Sequence, residues 1–145
     1  MKLLFMDDNQ NRHKTFRQNT IGFAILQAYT GREALDFMRE HDDIDVIFLD
    51  HDLNYETVNQ LNDEEEDGRW VCKQMIAEGL YREAQVIIHS MNPLGAEEME
   101  KLLTDAGYGN VHQICSAWTM LSKNAKGGLS IDQSKGMSQD YRDYQ

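Results

Sequence analysis

The sequence predicts an α/β doubly wound domain: a five-stranded parallel sheet with helices on both faces. Three observations predict it. Apolar, β-prone runs alternate five times with segments of helical periodicity. Three of those runs, Leu3-Leu4-Phe5-Met6, Val46-Ile47-Phe48-Leu49 and Val86-Ile87-Ile88, are continuously apolar, as strands buried on both faces are. Each ends abruptly in acid or imidazole, at Asp7-Asp8, Asp50-His51-Asp52 and His89-Ser90. Open parallel sheets bind ligands outside the carboxyl ends of their strands, so these three ends mark the expected site.

Lys2 to Met6 is the first strand. Asn9 or Asn11 caps the helix after it, Asn11 to Gln18, with Phe16 facing the core. Ile21 to Tyr29 is the second strand. Thr30 caps the second helix and Glu33 completes a capping box; Ala34, Leu35 and Met38 form its apolar stripe. The helix ends near His41-Asp42-Asp43, and Asp45 to Leu49 is the third strand. Residues 53–67 lack apolar periodicity and exceed the roughly 2–6 residues of an ordinary strand-to-helix connection. They read as a functional lid or a mobile insertion. Arg69 to Gly79 is the third helix and Ala84 to Ile88 the fourth strand. Asn92-Pro93 is a turn, and Gly95 to Ala106 the fourth helix, closed by Gly107. Asn110 to Ile114 is a weak fifth strand and Ala117 to Lys123 a short fifth helix. This sets the body at 1–122 and a polar tail at 123–145.

At 145 residues the chain fits one domain. Asp7-Asp8 interrupts the apolar start too early for a signal peptide, and no run reaches the roughly 18 apolar residues of a membrane span, so a cytoplasmic protein is expected. Cys72 and Cys115 have no metal or redox spacing and read as reduced packing residues. A net charge of −11 argues against broad nucleic-acid binding, which needs Lys and Arg against phosphates. A small phosphate ligand held by a cation and one or two local bases remains compatible with it. Part of the charge is the acidic run 63–67, the usual composition of a solvated loop.

Asp7, Asp8, Asp50 and Asp52 bring carboxylates together. Two like charges about 4 Å apart repel by roughly 4 kcal/mol at an effective dielectric of about 20. Such a cluster needs a cation, a shared proton or separation. A divalent metal suits it, Mg²⁺ for oxygen ligands and Mn²⁺ or Zn²⁺ if imidazole joins. His51 and His89 fit either extra ligands or an acid/base pair across a phosphodiester. For His89 a hydrogen-bonded core histidine is the equal alternative. Alternation places Asp50 and Asp52 on one side of a continuing strand and His51 on the other. Arg12 fits a phosphate clamp or a structural ion pair. Ser90 and Asn92 fit phosphate binding or a helix cap. His13, His41 and His112 read as surface or filler, and Trp70 and Trp118 as core.

Asp7-Asp8, Thr30-Gly31-Arg32-Glu33-Ala34-Leu35, Phe48-Leu49-Asp50 and Asp67-Gly68 resemble the response-regulator receiver fold in order over residues 1–122. The resemblance implies flavodoxin-like topology with strand order 2-1-3-4-5. It also implies Mg²⁺ on the acids after strand one and a phosphoacceptor at Asp50. Receivers carry Ser or Thr after strand four and Lys-Pro after strand five. Here His89-Ser90 follows strand four, and Cys115-Ser116-Ala117 follows strand five. That Lys normally reaches the phosphoryl group, so its absence speaks against aspartyl-phosphate signalling. Asp50-His51-Asp52-Leu53 and Ile88-His89-Ser90-Met91-Asn92 resemble instead the cyclic-phosphate processing receiver domains. This implies a metal-assisted hydrolase or phosphodiesterase acting on a cyclic or terminal phosphate. Asp7, Asp8, Asp50 and Asp52 would hold the metal, Mg²⁺ or Mn²⁺. His51, His89 and Asp50 would be catalytic, and Arg12, Ser90 and Asn92 would bind phosphate. The alternatives are a silent module that binds a cyclic nucleotide or a protein partner, and a phosphoacceptor at Asp50.

Overall fold

The computed structural model describes residues 1–53 and 66–132. The lid read at 53–67 falls almost wholly outside the described residues, as does the tail beyond Asp132. In chain order the elements are β1 Lys2–Met6, α1 Gln10–Asn19, β2 Ala24–Ala28, α2 Gly31–Glu40, β3 Val46–Leu49, α3 Gly68–Glu78, β4 Gln85–Ile88, α4 Pro93–Asp105, β5 Val111–Gln113, β6 Leu121–Lys123 and β7 Leu129–Ile131. The first five strands form one parallel sheet in the order β2-β1-β3-β4-β5, as the sequence predicts.

Local chemistry sets the helix starts. Asn9, not Asn11, caps α1, its side chain accepting from the amides of Asn11 and Arg12. Thr30 caps α2 through the Glu33 amide, Asp67 caps α3 through the Trp70 amide, and Asn92 caps α4 with Pro93 following it.

Residues alternate between two cores across the sheet. Leu4, Met6, Ile47, Leu49, Val86 and Ile88 pack under α2, α3 and α4. Leu3, Phe5, Val46, Phe48 and Ile87 face the other way, onto Phe16 of α1 and Trp118. Register aligns Phe5 with Phe48 and Phe48 with Ile87 in neighbouring strands.

Two readings of the sequence are corrected. Ile21 to Ala24 does not open a strand until Ala24; Gly22 has φ 98° and Ile21 lies exposed in a turn. The fifth helix, expected over Ala117 to Lys123, is a 3-10 turn at Ala117–Thr119 followed by the antiparallel hairpin β6–β7. Ser116 precedes it at φ 59°, and the Asn124 side chain accepts from the amides of Lys126 and Gly128. Those contacts build a turn where Gly127-Gly128 would weaken a helix. The hairpin packs Leu121, Leu129 and Ile131 against the aromatic core, so the folded body continues past 122 to Asp132.

Candidate functional site

Two residues beyond the aligned Phe5, Phe48 and Ile87 stand Asp7, Asp50 and His89. Strand alternation therefore drives all three to the aromatic face, where the strands end and their side chains converge. One ligand atom from each lies within 4.8 Å of the other two. Asp7 and His89 are fully buried, and Asp50 is 2% exposed.

Each member is held by the chain around it. Asp7 accepts from the Asn9 amide at 2.9 Å, and Asp50 from the His51 amide at 2.9 Å. The Gly68 amide donates to the His51 carbonyl at 2.9 Å. A Cβ on Gly68 would collide with the Asp50 carbonyl, so only glycine lets α3 start this close to the site.

His89 stacks on Phe5, with ring centroids 4.9 Å apart, and meets Trp118 edge-on. Its Nε2 lies 3.2 Å from the Met6 carbonyl. A carbonyl only accepts, so Nε2 carries the proton, and Nδ1 of the neutral ring presents its lone pair. That Nδ1 is buried, makes no hydrogen bond, and lies 3.7 Å from Asp7 Oδ2. A histidine whose outer nitrogen donates to a carbonyl while the inner one faces carboxylates is arranged as metal ligands are.

Arg12 supplies positive charge. Its Nη1 lies 3.4 Å from Asp7 Oδ2 and 3.5 Å from Asp50 Oδ2. Its guanidinium rests 4.9 Å over the Trp118 ring. Burial raises both acids above the carboxylate range, Asp50 further because the Asp7 charge adds to it: Asp50 to about 8 and Asp7, relieved by Arg12, to about 6. Burial and the Arg12 charge push His89 down to about 3. Among the described residues the cluster holds more acid than Arg12 balances, which is the condition a divalent ion relieves.

Above the cluster opens a cavity of about 290 Å³ lined by Asp8, Arg12, Asp50, Asp52, Leu53 and Met91. A larger groove of about 660 Å³ lies at the opposite edge of the sheet, between the ends of α2 and α3, away from these acids.

Not every expected site residue arrives. His51 turns away: its Nδ1 lies 2.7 Å from Asp52 Oδ1, its Nε2 3.8 Å from Asp67, and its ring packs on Gly95. It does not line the cavity. Ser90 is buried with its hydroxyl accepting from the Asn92 amide. Asn92 caps α4 through the Gly95 amide and donates to Asp52 at 3.4 Å. Both are engaged as capping groups.

Two contributors were not foreseen. His13, read as filler, is fully buried; its Nε2 donates to the Asp7 carbonyl at 2.7 Å while Nδ1 accepts from Gln27. It holds the end of β1 as His89 does. The spacing of His13 and Phe16, three apart on one helix face, was the available signal. Trp118, read as core, is also the platform for Arg12.

The model of the cyclic-phosphate processing receiver domain matches residues 2–105. The chain belongs to that family. Solved receiver structures share its fold. A CheY-like receiver from Methanospirillum hungatei JF-1 is 15% identical with TM-score 0.56, covering 77% of this chain and 79% of that one. Vibrio cholerae CheY4, crystallised at pH 4.0, is 19% identical with TM-score 0.54, covering 79% and 84%. The Mn²⁺-bound response regulator Rcp1 is 16% identical with TM-score 0.55, covering 86% and 81%. No curated protein matches the chain. After β5, Cys115 and Ser116 donate to the Met91 sulfur, at 3.3 and 3.5 Å. The cation that reaches Asp50 comes from α1. No helix among the described residues is long and apolar enough to cross a membrane.

Proposed function

We propose that this receiver is a metal-assisted hydrolase acting on a cyclic or terminal phosphate of a nucleotide-like substrate. One observation carries the reading: Asp7, Asp50 and His89 form a buried two-oxygen, one-nitrogen donor set beneath a cavity that Arg12 lines. The buried, unbonded Nδ1 of His89 is the sign that the donors fit a cation. The family's description and the Mn²⁺ in Rcp1 support it. Oxygen ligands accept Mg²⁺ or Mn²⁺, and the imidazole favours Mn²⁺ of the two.

In this reading Asp7, Asp50 and His89 would hold the ion, with Asp8 and Asp52 within the same cavity wall. The ion would supply positive charge to a phosphate bound beside it. Arg12 orients the phosphate. His89 is a ligand rather than a proton carrier, because burial keeps it neutral far below its ordinary range. His51 lies outside the cavity, so the carboxylates at the rim, Asp8 and Asp52, are left to take the proton of the attacking water. Water adds to phosphorus, the bond to one ester oxygen breaks, and that oxygen leaves with the proton the carboxylate took from the water. A cyclic diester opens to a monoester.

Turnover of 2′,3′- and 3′,5′-cyclic nucleotides is the test, with Mg²⁺, Mn²⁺ or Zn²⁺ and with chelator. Metal-dependent hydrolysis lost in Asp50→Asn supports the reading. Ligand-induced thermal stabilisation without product replaces it with a silent binding module. Stable phosphoryl transfer to Asp50 from a small donor replaces it with the signalling receiver.

A further inference from the structure

Arg12 is not placed as the other ion-paired arginines are. Arg39 forks Glu78 at 2.9 and 2.6 Å, and Arg32 holds Glu66 at 2.7 Å. Charge-assisted hydrogen bonds normally close to about 2.7–2.9 Å. Arg12 divides a single nitrogen between two carboxylates at 3.4 and 3.5 Å, although both acids are buried and Arg12 is itself mostly covered. Its hold on the acids is loose, and its hold on the Trp118 face, at 4.9 Å, is independent of them. The oxygens it touches, Asp7 Oδ2 and Asp50 Oδ2, belong to the carboxylates that face His89 in the donor set. The same side chain also lines the cavity where a phosphate would sit.

We infer that Arg12 is an exchangeable counter-charge. It yields the Asp7 and Asp50 oxygens to a divalent cation and turns its guanidinium, still seated on Trp118, to a phosphate in the cavity. Cation and phosphate therefore bind as a coupled pair. The inference rests on the metal site of the proposed function but not on hydrolysis. It explains how the site works without the receiver Lys after β5. The planar guanidinium matches two phosphate oxygens at once, which an ammonium does not.

The experiment measures binding on the full chain. Trp70→Phe leaves Trp118 as the reporter, since the chain has two tryptophans. Mg²⁺ and inorganic phosphate are titrated singly and together, at known free concentrations, and phosphate is then replaced by a 2′,3′-cyclic nucleotide. Mg²⁺ is expected to shift Trp118 emission. Saturating Mg²⁺ is expected to tighten phosphate about tenfold or more, within the usual range of coupling between sites. In Arg12→Gln the emission shift disappears, Mg²⁺ binds more tightly because its competitor is gone, and the phosphate coupling falls severalfold, to what direct contact between ion and phosphate leaves. Arg12→Lys keeps the charge and loses most of the coupling, which separates this role from a folding defect. Weaker Mg²⁺ binding in folded Arg12→Gln overturns the inference, since Arg12 would then merely position the acids. Coupling as strong in Arg12→Gln as in wild type overturns it too. Coupled binding without turnover sustains the inference and removes the hydrolase. Mg²⁺ binding unchanged by Asp50→Asn removes both.

Discussion

The two faces of the sheet are built from the same strands and differ in what continues past the strand ends. Under α2, α3 and α4 the core is mostly aliphatic: Leu4, Met6, Leu35, Met38, Ile47, Leu49, Val71, Met75 and Ile88. Opposite it, Phe5, Phe16, Phe48 and Trp118 surround His13 and His89. On the aromatic face the next residues along β1, β3 and β4 are Asp7, Asp50 and His89, which converge. On the aliphatic face the corresponding residues are Asp8, His51 and Ser90, which scatter. Asp8 lines the cavity, His51 goes to Asp52 and Gly95, and Ser90 to the Asn92 amide. The difference lies in the layer above. Helix α4 closes over the aliphatic face and engages His51 by packing and Ser90 at its cap. On the aromatic face no fifth α-helix follows β5 among the described residues, and the 3-10 turn delivers Trp118 and, through it, Arg12.

The largest effect that would break this contrast is at Asp50. Asp50→Asn is expected to weaken Mn²⁺ binding about 100-fold or more, since one charged ligand is gone. Calorimetric titration measures it, and unchanged affinity would remove the donor set. The same variant carries a pH signature when studied with chelator. Asp50 is held up at about 8, so the folded chain binds its proton more tightly than the unfolded chain does. Its contribution is fully present below the ordinary carboxylate range and is lost as pH rises toward about 8. Wild type and Asp50→Asn should have similar melting temperatures near pH 4, and the variant should be the more stable at pH 8. A variant less stable at pH 8 would contradict the sign.

His89 separates ligand from filler. His89→Ala should lose Mn²⁺ affinity and about 2–4 kcal/mol of stability, because a side chain stacked between Phe5 and Trp118 leaves a cavity. His89→Gln should keep most of the stability and still lose the metal. Denaturant midpoints and metal titration together decide it. Next in size is Gly68→Ala. Its Cβ meets the Asp50 backbone, which cannot give way like a side-chain tip, and a loss of about 3 kcal/mol is expected. A cost below that of an ordinary helix-start substitution would mean α3 docks less tightly than it does here.

Much of this contrast was legible in the residues. Continuous apolar runs mark β1, β3 and β4, and their polar ends mark Asp7, Asp50 and His89. Period-two alternation already set His51 apart from Asp50 and Asp52. The fifth element was not legible, because Ala117 to Lys123 has acceptable helix formers, and only the positive φ of Ser116 and the Asn124 turn make it a hairpin. Nor was the burial of His13. Its spacing from Phe16 puts both on one helix face, but that is a weak signal until β1 is placed beneath it. The sequence leaves His89 open between core and site, and the fold shows why: its ring packs as a core residue while one nitrogen faces the acids.

The smallest expected effect tests whether His51 belongs to the packing side. A Cβ at Gly95 would stand 2.5 Å from the His51 ring carbons, so Gly95→Ala forces the ring or α4 to move. Adding a methyl to a close-packed contact costs about 1–3 kcal/mol. His51→Ala removes the obstacle along with the hydrogen bond to Asp52, and alone it should cost less than the glycine change. In the double variant the Gly95→Ala penalty should largely vanish, giving a coupling of about 1–2 kcal/mol between residues in direct contact. Mn²⁺ affinity should stay within about threefold of wild type in His51→Ala, a change of under 1 kcal/mol by the usual affinity arithmetic. Chemical denaturation supplies the cycle and titration the affinity. If His51→Ala instead removes metal binding while the cycle shows no coupling, the aliphatic face also serves the site and the division between the two faces fails.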